Sequence, residues 1–443
     1  MAIIYKRSLF SWKDVDSLGD LERLNLVIEN LPDENLMYFL ERKRKRGRND
    51  YPVRAVWNAL LAGVVFQHKS IESLRRELFR NAQLRELCGF DVVPGLAIVP
   101  PSWAFSRFLK TLFRHQPEID AMFAELVNKL REILPDFGVT LAIDSKAIAS
   151  HAAPHKMSNV RPQEDGRRDL DADFGAKTYR GTSEDGTAWE KTKTWFGFKI
   201  HLLVDAKYEL PVSYTITKAS THDAPEAHNL LDKASNDQPE ILRRCDYLMG
   251  DKGYDDTKLI TKLWDKHRIC PIIDIRNMWR DSEPSKLLPG ETNVTYDYKG
   301  TVMCHCPKSG EERKMAFGGF EKDRSTLKYL CPIQAYGTTC SGCADCPVNH
   351  SIRINLSTDR RVFTPVARSS YKWTDLYKAR TSVERVNSRL DVSFGFEEHY
   401  IRGMKKMEFH CGLALCVMLT MALGRARQGQ MDLMRSLVRT RAA

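Results

Sequence analysis

No uninterrupted apolar run in this sequence reaches the length that suggests a membrane span. The longest, Cys411 to Gly424, falls short of the roughly 18 residues that mark a membrane span, so it is expected to be a buried helix. No signal peptide is visible: Lys6 and Arg7 lie near the start with no apolar stretch behind them. An acidic surplus is missing too. Lys and Arg number 68 against 57 Asp and Glu, a net +11, which excludes an acidic disordered chain and favours a polyanionic partner. Cysteine is scarce outside one segment. Of eleven, Cys88, Cys245, Cys270, Cys411 and Cys416 are scattered in apolar surroundings and suit core thiols, while six crowd between Cys304 and Cys346. A secreted disulfide framework is not expected without a signal peptide, which leaves a reducing, cytoplasmic setting.

What the chain has is length and unevenly placed charge. At 443 residues, 42% of them apolar, two or three units with real cores are expected. Residues 1–115 hold 19 basic and 13 acidic side chains, residues 371–443 hold 13 and 7, and the stretch between holds 36 and 37. Two basic flanks thus enclose a near-neutral centre.

Residues 1–135 read as helical. Leu21 to Leu31, Val53 to Val65 and Ser70 to Leu78 show helical apolar spacing. A loop with Pro94, Gly95, Pro100 and Pro101 follows, and Ser102 is placed to cap a helix over Trp103 to Phe113. Arg107, Lys110 and Arg114 on that helix suit a helix-turn-helix-like reader of DNA; the alternative is a helical bundle with solvated basic faces. The run Glu41 to Arg48 is the densest basic cluster, or a solvated linker.

From Gly138 the pattern changes. Val139 to Ile143 is a short apolar strand ending in Asp144, and polar residues 151–194 read as a long loop. Trp195 to Val204 alternates with period two, with Pro211 to Thr217 as its hairpin partner. Ala224 to Ala234 is helical, Tyr247 to Met249 a strand ending in Gly250-Asp251, Asp255 to His267 a helix and Ile269 to Ile275 a strand. Residues 276–370 break this rhythm, and Trp373 to Leu390 is a helix. The expected fold class is therefore α/β: a mixed sheet with flanking helices, preceded by an all-α region and interrupted by a small cysteine-rich insertion. The expected divisions are 1–135, 136–275, 276–370 and 371–443.

Asp144 and Asp251 each follow an apolar strand, where α/β ligand sites gather, and Glu384 lies on a late helix able to pack beside them. Three such carboxylates suit two Mg2+ or Mn2+ ions and phosphoryl transfer. An Asp after a strand is also a common turn or cap residue. Tyr377, Arg380 and Glu384 share one helix face. There Arg380 could clamp a phosphate oxygen, and Tyr377 could hydrogen-bond the nucleic-acid backbone or stack on a base. An i, i+4 ion pair between Arg380 and Glu384 is the structural alternative.

Cys304, Cys306, Cys331, Cys340, Cys343 and Cys346 suggest a structural zinc. Cys306, Cys331, Cys343 and Cys346 are the favoured quartet, with Cys304, Cys340 and His305 as competitors and free reduced thiols as the alternative. A segment of short strands and glycines is expected to need such a staple.

Three blocks carry a family resemblance: Ala142-Ile-Asp-Ser-Lys-Ala147, Gly250-Asp-Lys-Gly-Tyr-Asp255 and Tyr377-Lys-Ala-Arg-Thr-Ser-Val-Glu-Arg-Val-Asn-Ser-Arg389. The chain resembles the bacterial insertion-sequence DDE transposases, in the broad superfamily of insertion sequences four, five and eleven-eighty-two. The resemblance implies an RNase H-like core and Mg2+-dependent cleavage at transposon ends. The freed 3′-hydroxyl is then transferred to target DNA by a multimer in the bacterial cytoplasm, at the nucleoid. It implies Asp144, Asp251 and Glu384 as the metal-binding catalytic triad, with Tyr377 and Arg380 contacting DNA. The family signature often continues to a basic residue seven positions past the glutamate, where this chain has Asp391; Arg389 is the substitute expected. Lys199, His201 and the pair His222-Asp223 match positions near the family's catalytic pocket, although His201 on a strand also suits a structural hydrogen bond. A DNA-binding relative that regulates without cutting, and a metal-dependent nuclease without strand transfer, are the rival readings.

Overall fold

Seven helices precede the first strand among the described residues: α1 (Glu22–Asn30), α2 (Glu34–Arg44), α3 (Val53–Val65), α4 (Ile71–Arg80), α5 (Ala82–Cys88), α6 (Ser102–Leu112) and α7 (Gln116–Ile133). The structure is a computed structural model that describes residues 19–44, 51–90, 99–152, 169–183, 185–281, 283–348 and 350–438. The end of the basic run at Lys45 to Arg48, the Pro94-Gly95 loop and the opening residues lie outside these. Ser70 caps α4, its hydroxyl accepting from the Ser73 amide at 3.1 Å. Ser102 does not cap α6 as expected. The cap position falls on Pro101, whose fixed φ of −67° leads into the helix without a side-chain bond.

Strands β1 (Thr140–Ala149), β2 (Asp173–Thr182), β3 (Ala188–Asp205), β4 (Leu210–Lys218), β5 (Tyr247–Gly250) and β6 (Cys270–Ile273) form one mixed sheet. Its central order is β4-β3-β1-β5-β6. The pairs β4/β3 and β3/β1 are antiparallel, and β1/β5 and β5/β6 are parallel. This is the RNase H-like arrangement. Helix α8 (Asp223–Asp237) follows β4, short α9 (Pro239–Arg244) precedes β5, and α10 (Thr257–Thr261) runs into a π-helical turn before β6.

Two sequence expectations are corrected here. β1 does not stop at Ile143; it continues to Ala149 because β3 pairs with it along its whole length, up to Ala149↔Gly197. Residues 173–194 are not loop. β2 pairs with residues 188–197 of β3, while residues 198–205 hand over to β4. The hairpin so formed projects into solvent, so it has no core face and no apolar stripe to announce it. Its glue is local: Trp195 and Trp189 stack where Gly175 and Gly181 lie opposite, and a Cβ there would meet the rings at 2.4 and 2.5 Å. At the handover, a Cβ on Gly197 would lie 2.3 Å from the Ile148 carbonyl oxygen; only glycine lets the two backbones approach so closely.

The insertion holds two small antiparallel sheets. One is β7 (Lys286–Leu287), β8 (Val294–Tyr296), β9 (Val302–His305) and β10 (Glu312–Lys314); the other is β11 (Ala316–Glu321), β12 (Thr326–Leu330) and β13 (Ser351–Asn355), with α11 (Pro332–Tyr336) after β12. Contrary to expectation it has an apolar core of its own, including Val294, Leu327, Tyr329, Ile354 and Phe363.

Beyond it come α12 (Tyr371–Lys378), α13 (Thr381–Phe394) and α14 (Met404–Arg427). The expected single helix from Trp373 to Leu390 is two, joined by a tight turn in which the Arg380 amide bonds the Tyr377 carbonyl at 3.0 Å. α14 is long and apolar enough to cross a membrane by composition alone, yet 89% of its most apolar window is buried within this protein. It packs against α1, α3, α7 and β4, so the N-terminal helices and the sheet share one continuous core.

Candidate active site

β1 and β5 are parallel neighbours, with Leu141 opposite Leu248 and Ala142 opposite Met249. Carried two residues further, that register sets Asp144 level with Asp251, on the same side of the pleat and on strands about 4.8 Å apart. Asp251 starts a tight turn, its Oδ1 accepting from the Gly253 amide at 2.6 Å. Burial, and then the Asp251 charge, push the Asp144 carboxyl up to about 6; Lys177 and Arg380 pull the other way. Asp144 Oδ2 accepts from Asn387 Nδ2 at 3.1 Å.

That last contact locates Glu384. Asn387 lies one helical turn beyond it on α13, so the bond to Asp144 holds Glu384 about 5 Å along the axis from that point. The Glu384 carboxylate is nevertheless turned to Arg380, whose Nη2 donates to it at 2.6 Å. The structural alternative for this pair is therefore present. Arg380 lies over the Tyr377 ring at 5.7 Å, and Tyr377 stacks on Trp373 at 4.7 Å with 13° between planes.

The donor chemistry fits divalent cations. Asp144 and Asp251 repel each other, and the Asn387 amide oxygen beside them is buried without a hydrogen-bond partner. A hard cation would relieve both. The full set is not assembled, however: among the described residues no three His, Cys, Asp or Glu side chains converge closely enough to hold a metal ion.

The flanking residues fall into two groups. Lys199 Nζ donates to Asp223 Oδ1 at 3.0 Å and to the Thr221 carbonyl at 2.9 Å. His201 is 1% exposed, bonded to Thr217 Oγ1 at 2.9 Å, and burial pushes its pKa down. A direct DNA contact by His201 is thereby corrected, because its ring has no open surface. Arg389 is corrected for a similar reason. It is spent on Glu209, at 3.2 Å to Oε2 and 2.7 Å to the carbonyl, where Arg385 and Arg435 also converge. Asp391, at the position of the missing base, instead pairs with Lys146 on β1 at 2.5 Å. Arg107 and Lys110, in contrast, are exposed, and Arg107 lies over the exposed Trp103 ring at 4.8 Å. Sequence reasoning missed Asn387 and Lys177. The i, i+3 spacing from Glu384 was a signal for the first; the second lies in the unforeseen hairpin.

All six insertion cysteines, with His305 and His350, line one cavity of about 210 Å³. Burial, then the nearby Cys331, Cys346 and Cys340, push the Cys304 thiol up to about 11. Cys331, Cys340 and Cys346 are thus within electrostatic reach of Cys304, whereas Cys343 of the favoured quartet is exposed. Cys306 Sγ accepts from the Ser309 amide at 3.5 Å and meets Ser341 Oγ at 3.4 Å. Soft thiols in such number are the donor type zinc takes, although here no three of them converge closely enough to hold it.

The family described as transposase DDE domain matches residues 136–420. Among curated proteins none matches the sequence. Among solved structures the chain is similar to a piggyBac transposase synaptic complex with hairpin DNA, determined by cryo-EM. The identity is 13%, over 95% of this chain and 80% of that one, with a TM-score of 0.37.

Proposed function

Because the chain belongs to the transposase DDE domain family, we propose that it binds the terminal inverted repeats of a mobile element and cuts the phosphodiester bonds at its ends. It then joins the 3′-hydroxyl ends to target DNA. The observation that carries this reading is the half-buried Asp144–Asp251 pair at one level of two parallel strands, with the helix of Glu384 bonded to it through Asn387.

In this reading Asp144, Asp251 and Glu384 hold two Mg2+ or Mn2+ ions. When bound, such ions activate the attacking oxygen and stabilise the leaving one. The protein's own part is positional. Asp144 and Asp251 are fixed by strand register and by the Asn387 and Gly253 bonds. Glu384 reaches the pair by leaving Arg380, which frees the guanidinium to hydrogen-bond a non-bridging phosphate oxygen. Tyr377, held flat on Trp373, presents its hydroxyl beside that phosphate. Lys199 holds Asp223 next to the pocket. Arg107 and Lys110 meet DNA phosphates on the N-terminal flank. The partner is double-stranded DNA, engaged by a homodimer or higher multimer that pairs two ends. Four of the six insertion thiols hold a structural zinc.

The test uses a duplex carrying the inverted repeats that flank the gene. With Mg2+ the wild-type chain should nick it and yield joined products. Asp144→Asn, Asp251→Asn and Glu384→Gln should each lose at least about 10²–10³ in rate, the scale for removing one electrostatic stabiliser of a transition state, while still binding. Cutting without joined products would leave a nuclease; binding without cutting would leave a regulator.

A further inference from the structure

The β2–β3 hairpin has one basic, aromatic face. The register sets Lys177 opposite Lys193, Tyr179 opposite Lys191 and Gly181 opposite Trp189. Side chains two apart on a strand share a face. Lys177, Tyr179, Trp189, Lys191, Lys193 and Trp195 therefore stand together. The ring contacts bear this out: Lys177 and Lys193 lie 5.9 and 6.0 Å from the Tyr179 ring. Among the described residues of β2 and of residues 188–197 in β3, the one acid on that face is Asp173 at its inner end, where it accepts from the Ser220 amide at 2.9 Å and the Ser220 hydroxyl at 2.5 Å. Glu190 points the other way. All three lysines, Tyr179 and Trp189 are exposed.

Such exposure is costly without a partner. Trp189 and Tyr179 remain 45% and 41% open to water on an arm whose outer part, residues 174–182 and 188–195, contributes nothing to the main core. The exposed part of β3, residues 188–194, spans roughly 20 Å at about 3.3 Å per residue, close to the width of a duplex. Lys177 on this face has its charge within electrostatic reach of Asp144.

We propose that this hairpin face is a DNA-gripping arm, its lysines neutralising phosphates next to the scissile bond and its aromatic rings packing on the sugar-phosphate backbone. The inference rests on the DNA reading above and adds a contact surface to it.

Each phosphate contact by a lysine adds about 0.9 to the slope of log affinity against log salt. Lys177→Gln/Lys191→Gln/Lys193→Gln should therefore lower the slope by about 2.7 and weaken binding most at low salt. The experiment titrates the full chain with a labelled 40-bp random duplex in EDTA, from low to moderate KCl. Lys299→Gln/Lys314→Gln/Lys322→Gln, exposed on the insertion, makes the same charge change elsewhere. The expected result is a lower slope in the arm variant and a wild-type slope in the insertion variant, at equal melting temperatures. An unchanged slope in the arm variant, or an equal fall in both, overturns the arm while leaving DNA binding intact. A wild-type chain that binds no duplex overturns the DNA reading itself.

Discussion

At the scale of single residues, the site is a compromise between stability and charge. Asp144 is half-buried beside Asp251 and held up to about 6, above the roughly 3.9 of an unfolded Asp. A folded value above the unfolded one means that the native state binds the proton longer. Stability from this group is full below about pH 4 and is lost as pH rises through about 6. Asp144→Asn keeps an acceptor for Asn387 and removes that loss. In EDTA at pH 7.5 the variant should be more stable than the wild type by about 2 kcal/mol, with the gap closing towards pH 4; denaturant titrations at the two pH values measure it. A wild type as stable as the variant would mean that the pair is not strained. The sequence exposed the acids because strand-end carboxylates stand out from an apolar run. It hid which bases are free. Lys199, His201 and Arg389 look like open cations, but each is tied to a partner tens or hundreds of residues away in sequence: Asp223, Thr217 and Glu209. Burial and long-range pairing are not written in local spacing.

At the scale of elements, strands and helices that line the core were legible. β4, β5, β6 and α8 carry apolar patterns that the sheet and its helix layer use directly. The elements missed are those whose order comes from elsewhere. The outer β2–β3 arm buries neither face in a core and is held by Gly–Trp pairs, a cross-strand signal invisible along one strand. The insertion's apolar core is spread over short strands that only meet in three dimensions. Its cysteines were legible as a group but not as a quartet, because the cavity draws from β9, the start of α11 and the loop at 340–346. Purified chain should contain about one zinc, and Cys331→Ser or Cys346→Ser should lose it. Chelation should loosen β8–β13 in hydrogen exchange and leave β1 and β3 protected, since the two cores are separate. Zinc-free protein with unchanged exchange would contradict this.

At the scale of the molecule, the uneven charge seen at the outset becomes spatial. The near-neutral centre holds Asp144 and Asp251, and bound cations would add positive charge there. The basic flanks fold against it through α14, so the N-terminal helices are not a separate bead but share the catalytic core. The central claim is that Asp144, Asp251 and Glu384 form one metal centre once Glu384 leaves Arg380. Counting Mn2+ by paramagnetic resonance, with the full chain saturated by a 40-bp duplex, tests this most directly. Two ions per chain are expected in the wild type, with fewer in Asp144→Asn, Asp251→Asn and Glu384→Gln alike. An ion count that none of the three substitutions changes would contradict the account.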